Sequence, residues 1–92
     1  MRIIYHPKVL SEDIPRLNKN IALRIRKAIE ERLMIAADKY GVRLRKGLGG
    51  YWKMRVGDYR IIYSILVSEV RIIIIGHRKD VYSQVGQRIS HN

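Results

Sequence analysis

The chain has 92 residues and no cysteine, and its 19 Lys and Arg against 8 Asp and Glu give a net charge of +11. That length suits one domain, residues 1–92, with a modest core, because so short a chain buries only about two-thirds of its unfolded surface. The lack of cysteine excludes a disulfide framework and a thiolate zinc site, no apolar run is long enough to cross a bilayer, and the opening MRIIYHPK has no stretch of signal-peptide length.

Arg2 to Tyr5 reads as a short strand, closed by His6 and Pro7. Val9 to Leu17 is patterned as a helix, with Pro15 inside it. Two arrangements fit: a helix that starts late, with Asp13 as N-cap and Pro15 in its first turn, or a helix kinked at the proline. The next helix is better defined. Asn18 or Asn20 caps it, and Ile21, Ile25, Ile29 and Leu33 recur every four residues, with Ala22, Ala36, Ala37 and Tyr40 widening the stripe. Gly41 reads as its stop signal. Arg24, Lys27 and Glu31 lie on the opposite face, so the apolar stripe is expected to lie on a sheet.

Residues 42–50, VRLRKGLGG, read as a basic, glycine-rich connection. Its Gly47-Leu48-Gly49-Gly50 matches the GxxG loop of KH domains only formally, because that loop joins two helices and this one precedes a strand. Three strands follow at roughly 51–57, 59–68 and 70–77, with turns at Gly57-Asp58 and Ser68-Glu69, which makes an antiparallel meander. Residues 83–92 form a polar tail, either a short helix or flexible. The fold class is therefore α+β: an N-terminal strand, two helices packed on a mainly antiparallel sheet that ends in the meander, and a short C-terminal tail or helix.

Charge is distributed unevenly. Residues 1–40 hold nine basic and five acidic side chains, whereas residues 41–92 hold ten and three. Strand alternation places Trp52, Met54 and Val56 on one face and Tyr51, Lys53 and Arg55 on the other. In the next strand Tyr59, Ile61, Tyr63 and Ile65 form an apolar set, leaving Arg60, Ile62, Ser64 and Leu66 opposite. Pairing the polar sets brings Arg60 beside Lys53 and Arg55. Strand 70–77 is apolar on both faces, which predicts a central, covered position. Arg78 and Tyr82 follow its end, where they can fold over the cationic face. A basic domain with cations aligned on a sheet face points to a polyanion such as nucleic acid or to an acidic protein. His6, His77 and His91 lack metal-ligand spacing, no acidic pair is spaced as a hydrolytic dyad, and no RNP1 motif is present. Neither a metal nor a cofactor is expected.

The segments GYWKMRV, GDYRIIY and GHRKDVY, together with the order of the elements, resemble the RelE/ParE toxin superfamily of bacterial and archaeal toxin–antitoxin systems, and more closely its RelE branch. The RelE branch is known for ribosome-dependent endoribonucleases that cut mRNA in the A site. The resemblance carries catalytic roles to Lys53, Arg55, Arg60, Arg78 and Tyr82: Arg55 and Arg60 clamp the phosphate, Lys53 is the base, Arg78 holds the leaving side, and Tyr82 stacks on a base or supplies a proton. It also implies attack by the RNA's own 2′-OH, an acidic antitoxin as partner, the ribosome and mRNA as targets, no membrane and a cytoplasmic location. Some members use a glutamate ahead of the GYW-like segment, and residues 42–50 contain no acid. The parity of His77 with Arg71, Ile73 and Ile75 leaves its face open. ParE-like toxins share the fold and inhibit DNA gyrase without catalysis, and this remains the alternative, along with a purely RNA-binding domain.

Overall fold

The computed structural model describes residues 1–45 and 48–90. Five strands, β1 (Arg2–Tyr5), β2 (Val42–Arg43), β3 (Tyr51–Val56), β4 (Tyr59–Ile65) and β5 (Glu69–His77), form one sheet in the order β1-β5-β4-β3-β2. The meander β3-β4-β5 is antiparallel, as the turn residues predict, and Gly57 takes a left-handed φ of 60° in its first turn. β1 returns to pair in parallel with β5. β5 is therefore flanked on both sides, which accounts for a strand that is apolar on both faces.

β3 and β4 pair Trp52 with Tyr63, Met54 with Ile61 and Arg55 with Arg60, so the two faces sort as the alternation requires. β5 does not keep simple alternation. Ile62 pairs with Ile74 but Tyr63 pairs with Ile72, leaving Ile73 as a bulge. The extra residue reverses the parity: Val70, Ile72 and Ile75 enter the core under the helices, while Ile74 lies with Ile62 on the opposite face.

The helical layer departs from the expected pair of helices. Val9–Asp13 forms a π-helical turn and Ile14–Arg16 a 3-10 turn, with Pro15 near the start of the latter, where its missing N–H costs no hydrogen bond. Asp13 holds the N-cap position of this 3-10 turn, as one of the two arrangements expects, but its buried carboxylate makes no capping hydrogen bond and turns inward instead. Asn18 is the cap, accepting from the Ile21 N–H at 2.9 Å. From it run α1 (Lys19–Ala28), a π-helical segment (Ile29–Leu33) and α2 (Met34–Tyr40), with Ala36 out of helical geometry at φ −150° and ψ 62°. An apolar residue every four positions drifts around an ordinary α-helix; the wider π turn keeps Ile29 and Leu33 over the sheet. These residues, with Ile25, Ala28 and Ala37, pack against Met54, Ile61, Tyr63 and Ile72.

Two further points differ from what the residues predict. The connection 42–50 contains β2, in which Val42 pairs with Lys53 and Arg43 with Trp52. Gly41 ends α2 in extended conformation, and a Cβ there would overlap the Tyr63 hydroxyl. The reason for glycine is thus close approach rather than a left-handed stop. Of the two forms open to the C-terminal residues they take the short helix, α3 (Val81–Ser90), whose Val81 and Val85 pack on Ile62 and Ile74 and cover part of the second sheet face. Gly47 and His91 lie outside the described residues. Among the described residues no helix is long and apolar enough to cross a membrane.

Candidate functional site

β2 covers β3 only at Trp52 and Lys53, so the strand becomes an edge from Met54 onward. Along that edge lies a cleft of about 310 Å³ lined by Lys53, Arg55 and Arg60 from the sheet, Arg32 from the π-helical segment, and Tyr40 and Val42 from the α2–β2 junction. Nothing in the sequence marks Arg32, and the four-residue periodicity places Tyr40 in the apolar stripe. Tyr40 is in fact exposed. Arg32 enters the cleft from the π-helical segment that precedes α2.

Arg55 and Arg60 stand directly opposite each other across the hairpin, an arrangement that like charges disfavour. Their guanidinium groups converge on one acceptor: Arg55 Nε donates to the Gly57 carbonyl at 3.3 Å and Arg60 Nη1 donates to the same oxygen at 3.1 Å. Arg60 Nη1 also donates to the Tyr59 carbonyl at 3.0 Å. Each guanidinium carries five N–H groups, so donors remain for an incoming oxyanion. Among the described residues, no carboxylate lies within salt-bridge distance of Lys53, Arg55 or Arg60. The site thus gathers positive charge that the chain itself does not neutralise.

Arg78 and Tyr82 approach from the other side of the hairpin. The Arg78 backbone N–H donates to the Asp58 carbonyl at 2.8 Å, tying the end of β5 to the β3–β4 turn. Its side chain meets the Asp58 carboxylate at 3.8 Å, an exposed pair worth at most about 1 kcal/mol. Tyr82, in the first turn of α3, holds its ring 5.4 Å from the Lys53 ammonium in a cation–π contact. Gly76 lies under the start of α3, where a Cβ would come 3.3 Å from the Val81 Cβ. Lys53, Arg55 and Arg60 therefore share the cleft, Tyr82 reaches it through Lys53, and Arg78 stands at the adjoining turn.

His77 is placed elsewhere. It pairs with Tyr59, whose side chain is on the helix face, and their rings meet edge-to-face at 5.5 Å. Its Nδ1 accepts from the Lys79 N–H at 3.2 Å. It is thus on the other side of the sheet from Arg60. Among the described residues no cluster of His, Asp and Glu could hold a metal ion.

Helices on one face of a five-strand sheet, a cation-lined edge beside the meander and a short terminal helix on the second face together define a class: this is the RelE-like fold of the RelE/ParE toxin superfamily. Among the solved structures similar to it are three toxins of this fold. The RelBE2 toxin–antitoxin complex of Mycobacterium tuberculosis aligns with a TM-score of 0.78 and 24% identity, covering 84% of this chain and 96% of the other. The RelB–RelE complex of Methanococcus jannaschii gives 0.69 and 23%, covering 87% and 95%. The isolated RelE toxin of E. coli gives 0.67 and 23%, covering 96% and 97%. At these identities the likeness is one of fold. No curated protein sequence matches the chain. The family model for the ParE toxin of type II toxin–antitoxin systems matches residues 3–82, and the chain belongs to that family.

Proposed function

We propose that this toxin is an endoribonuclease that cuts mRNA in the ribosomal A site. The observation that carries the reading is the convergence of Arg55 and Arg60 on the Gly57 carbonyl beside Lys53, with no carboxylate paired to them among the described residues. A scissile phosphate entering the cleft would receive the free guanidinium donors, and Arg favours such bidentate contacts. The RNA supplies its own nucleophile. Its 2′-oxygen attacks phosphorus, Lys53 takes the 2′-OH proton, the bond from phosphorus to the 5′-oxygen breaks, and Tyr82 returns a proton to that oxygen. The products are a 2′,3′-cyclic phosphate and a 5′-OH. Holding the 2′-oxygen in line is worth up to about 7–11 kcal/mol, and each fixed donor at the developing charge adds about 3 kcal/mol. Arg78, at the adjoining turn, stabilises the leaving side.

The relatives from M. tuberculosis and M. jannaschii are complexes of a toxin with its antitoxin. With a net charge of +11, the partner of this chain would be an acidic antitoxin that covers the cleft. Its targets, the ribosome and mRNA, put its action in the cytoplasm. Expression of the wild-type toxin should arrest growth and leave codon-positioned cuts detectable by primer extension. Arg60→Ala combined with Arg78→Ala should abolish both in a protein that remains folded; full toxicity from that variant would overturn the site assignment. One observation favours a second reading: the matching family model is that of ParE. A gyrase inhibitor would provoke a DNA-damage response and leave transcripts intact.

A further inference from the structure

α3 is anchored at its far end by a buried ion pair outside the cleft. Arg88 Nη1 donates to Asp13 Oδ2 at 2.8 Å and Nη2 to Oδ1 at 2.9 Å, and the two side chains are only 9% and 4% exposed. The pair also takes over where β1 stops. β1 pairs with β5 as far as Ile72; beyond it, the Ile75 N–H donates to Asp13 Oδ2 at 3.0 Å and Arg88 Nη1 donates to the Ile73 carbonyl at 3.1 Å. Asp13, Arg88 and two backbone groups of β5 thus form a closed set at the strand that leads into Arg78.

The apolar footing of α3 is small. Its fully buried side chains are two short valines, Val81 and Val85, in contact with Ile62 and Ile74, and Ile89 adds a partly buried contact beside Leu44, Leu48 and Tyr51. A ten-residue helix is marginal by itself in water. At about 100° per residue, Tyr82 falls on one flank of the valine stripe and Arg88 on the other. With so small an apolar footing, an ion pair on one flank is placed to fix the helix's rotation over the sheet. Side chains extend about 5–6 Å from a helix axis, so a roll of about 30° would carry the Tyr82 ring by about 3 Å. That is enough to break a contact that now measures 5.4 Å.

We propose that Asp13 and Arg88 are a positioning pair that sets the rotation of α3 and so holds Tyr82 against Lys53. The structural part stands on geometry alone; the effect on cleavage rests on the proposed roles of Lys53 and Tyr82. Removing one partner would strand a buried charge and unfold too much to be informative. The test is therefore the double replacement Asp13→Leu with Arg88→Met, which removes both charges at similar volume. Arg88→Lys, which keeps the charge but loses the two-pronged grip, is the second variant in case the first does not fold.

The first readout is the ring-current shift of the Lys53 ε-methylene protons by NMR, with Tyr82→Leu setting the zero. In folded protein carrying either replacement, the shift should fall by more than half. The second readout is single-codon cleavage on programmed ribosomes, where kcat should drop about tenfold or more while KM stays within about twofold, as expected for a displaced catalytic group. An unchanged Lys53 shift in the folded variants would overturn the positioning role whatever happens to cleavage. A collapsed shift with wild-type cleavage would uphold the positioning and instead refute the part assigned to Lys53 and Tyr82.

Discussion

Replacing Gly41 by alanine should strain the wall of the cleft through Tyr63. Tyr63 is fully buried, and its hydroxyl donates to the Ala37 carbonyl at 2.7 Å, pinning the last turn of α2 to the sheet. Gly41 passes directly over that hydroxyl before the chain enters β2. A Cβ there would overlap the hydroxyl and lie 2.8 Å from Tyr63 Cζ and 3.0 Å from the Lys53 carbonyl. None of these atoms is the end of a flexible side chain, so Gly41→Ala should cost about 1–3 kcal/mol of stability, as overpacking of a core does. Tyr63→Phe removes the hydroxyl and leaves the Ala37 carbonyl without its partner, at about 1–3 kcal/mol. The two changes should not add. With the hydroxyl gone part of the overlap is relieved, so the double variant should be more stable than additivity predicts by about 0.5 kcal/mol or more. Trp52, the one tryptophan, stacks on Tyr63 with ring centroids 6.5 Å apart and reports unfolding by fluorescence in urea. A neutral Gly41→Ala, or strictly additive effects, would refute this account of the junction.

Burial pushes the Tyr63 hydroxyl up to about 12, above the ordinary tyrosine value of 10.0. A raised pKa means the folded state favours the protonated phenol, so this stabilisation is complete below pH 10.0 and is lost as pH climbs towards 12; urea midpoints should hold steady up to about pH 10 and then fall, and Tyr63→Phe should remove that share of the decline. Asn18→Ala deletes the cap on the Ile21 N–H and should lower stability by about 1 kcal/mol in the same urea assay, leaving cleavage intact. Arg55→Ala should be neutral or slightly stabilising, since it removes a like-charge pair opposite Arg60, and yet weaken RNA binding and reduce its dependence on salt concentration.

Much of this architecture can be read from residue order. The alternation in Tyr51–Val56 and Tyr59–Ile65 sorts the two faces, and the stripe Ile21, Ile25, Ile29 and Leu33 finds its sheet. What escapes are features decided by tertiary contacts. Nothing in the run of isoleucines marks Ile73 as a bulge, so the parity of β5, and with it the face of His77, is invisible until β4 is paired beside it. Asp13 has the sequence context of a cap and is drawn instead to Arg88, 75 residues away. The polar tail leaves helix and flexible chain equally open in sequence, because the two fully buried residues of α3 are valines and their partners Ile62 and Ile74 come from the meander. Arg32 joins Lys53, Arg55 and Arg60 only because the helix that carries it passes beside the uncovered edge of β3.

The central claim is that the cations on β3 and β4 act on a phosphodiester. The most direct measurement incubates purified toxin with ribosomes holding one defined mRNA codon in the A site and analyses the RNA ends. A single cut by the wild-type chain, leaving a 2′,3′-cyclic phosphate and a 5′-OH, and its loss in folded Arg55→Ala with Arg60→Ala, is the result expected. Intact mRNA with the wild-type toxin, or an undiminished rate in the double variant, would contradict it.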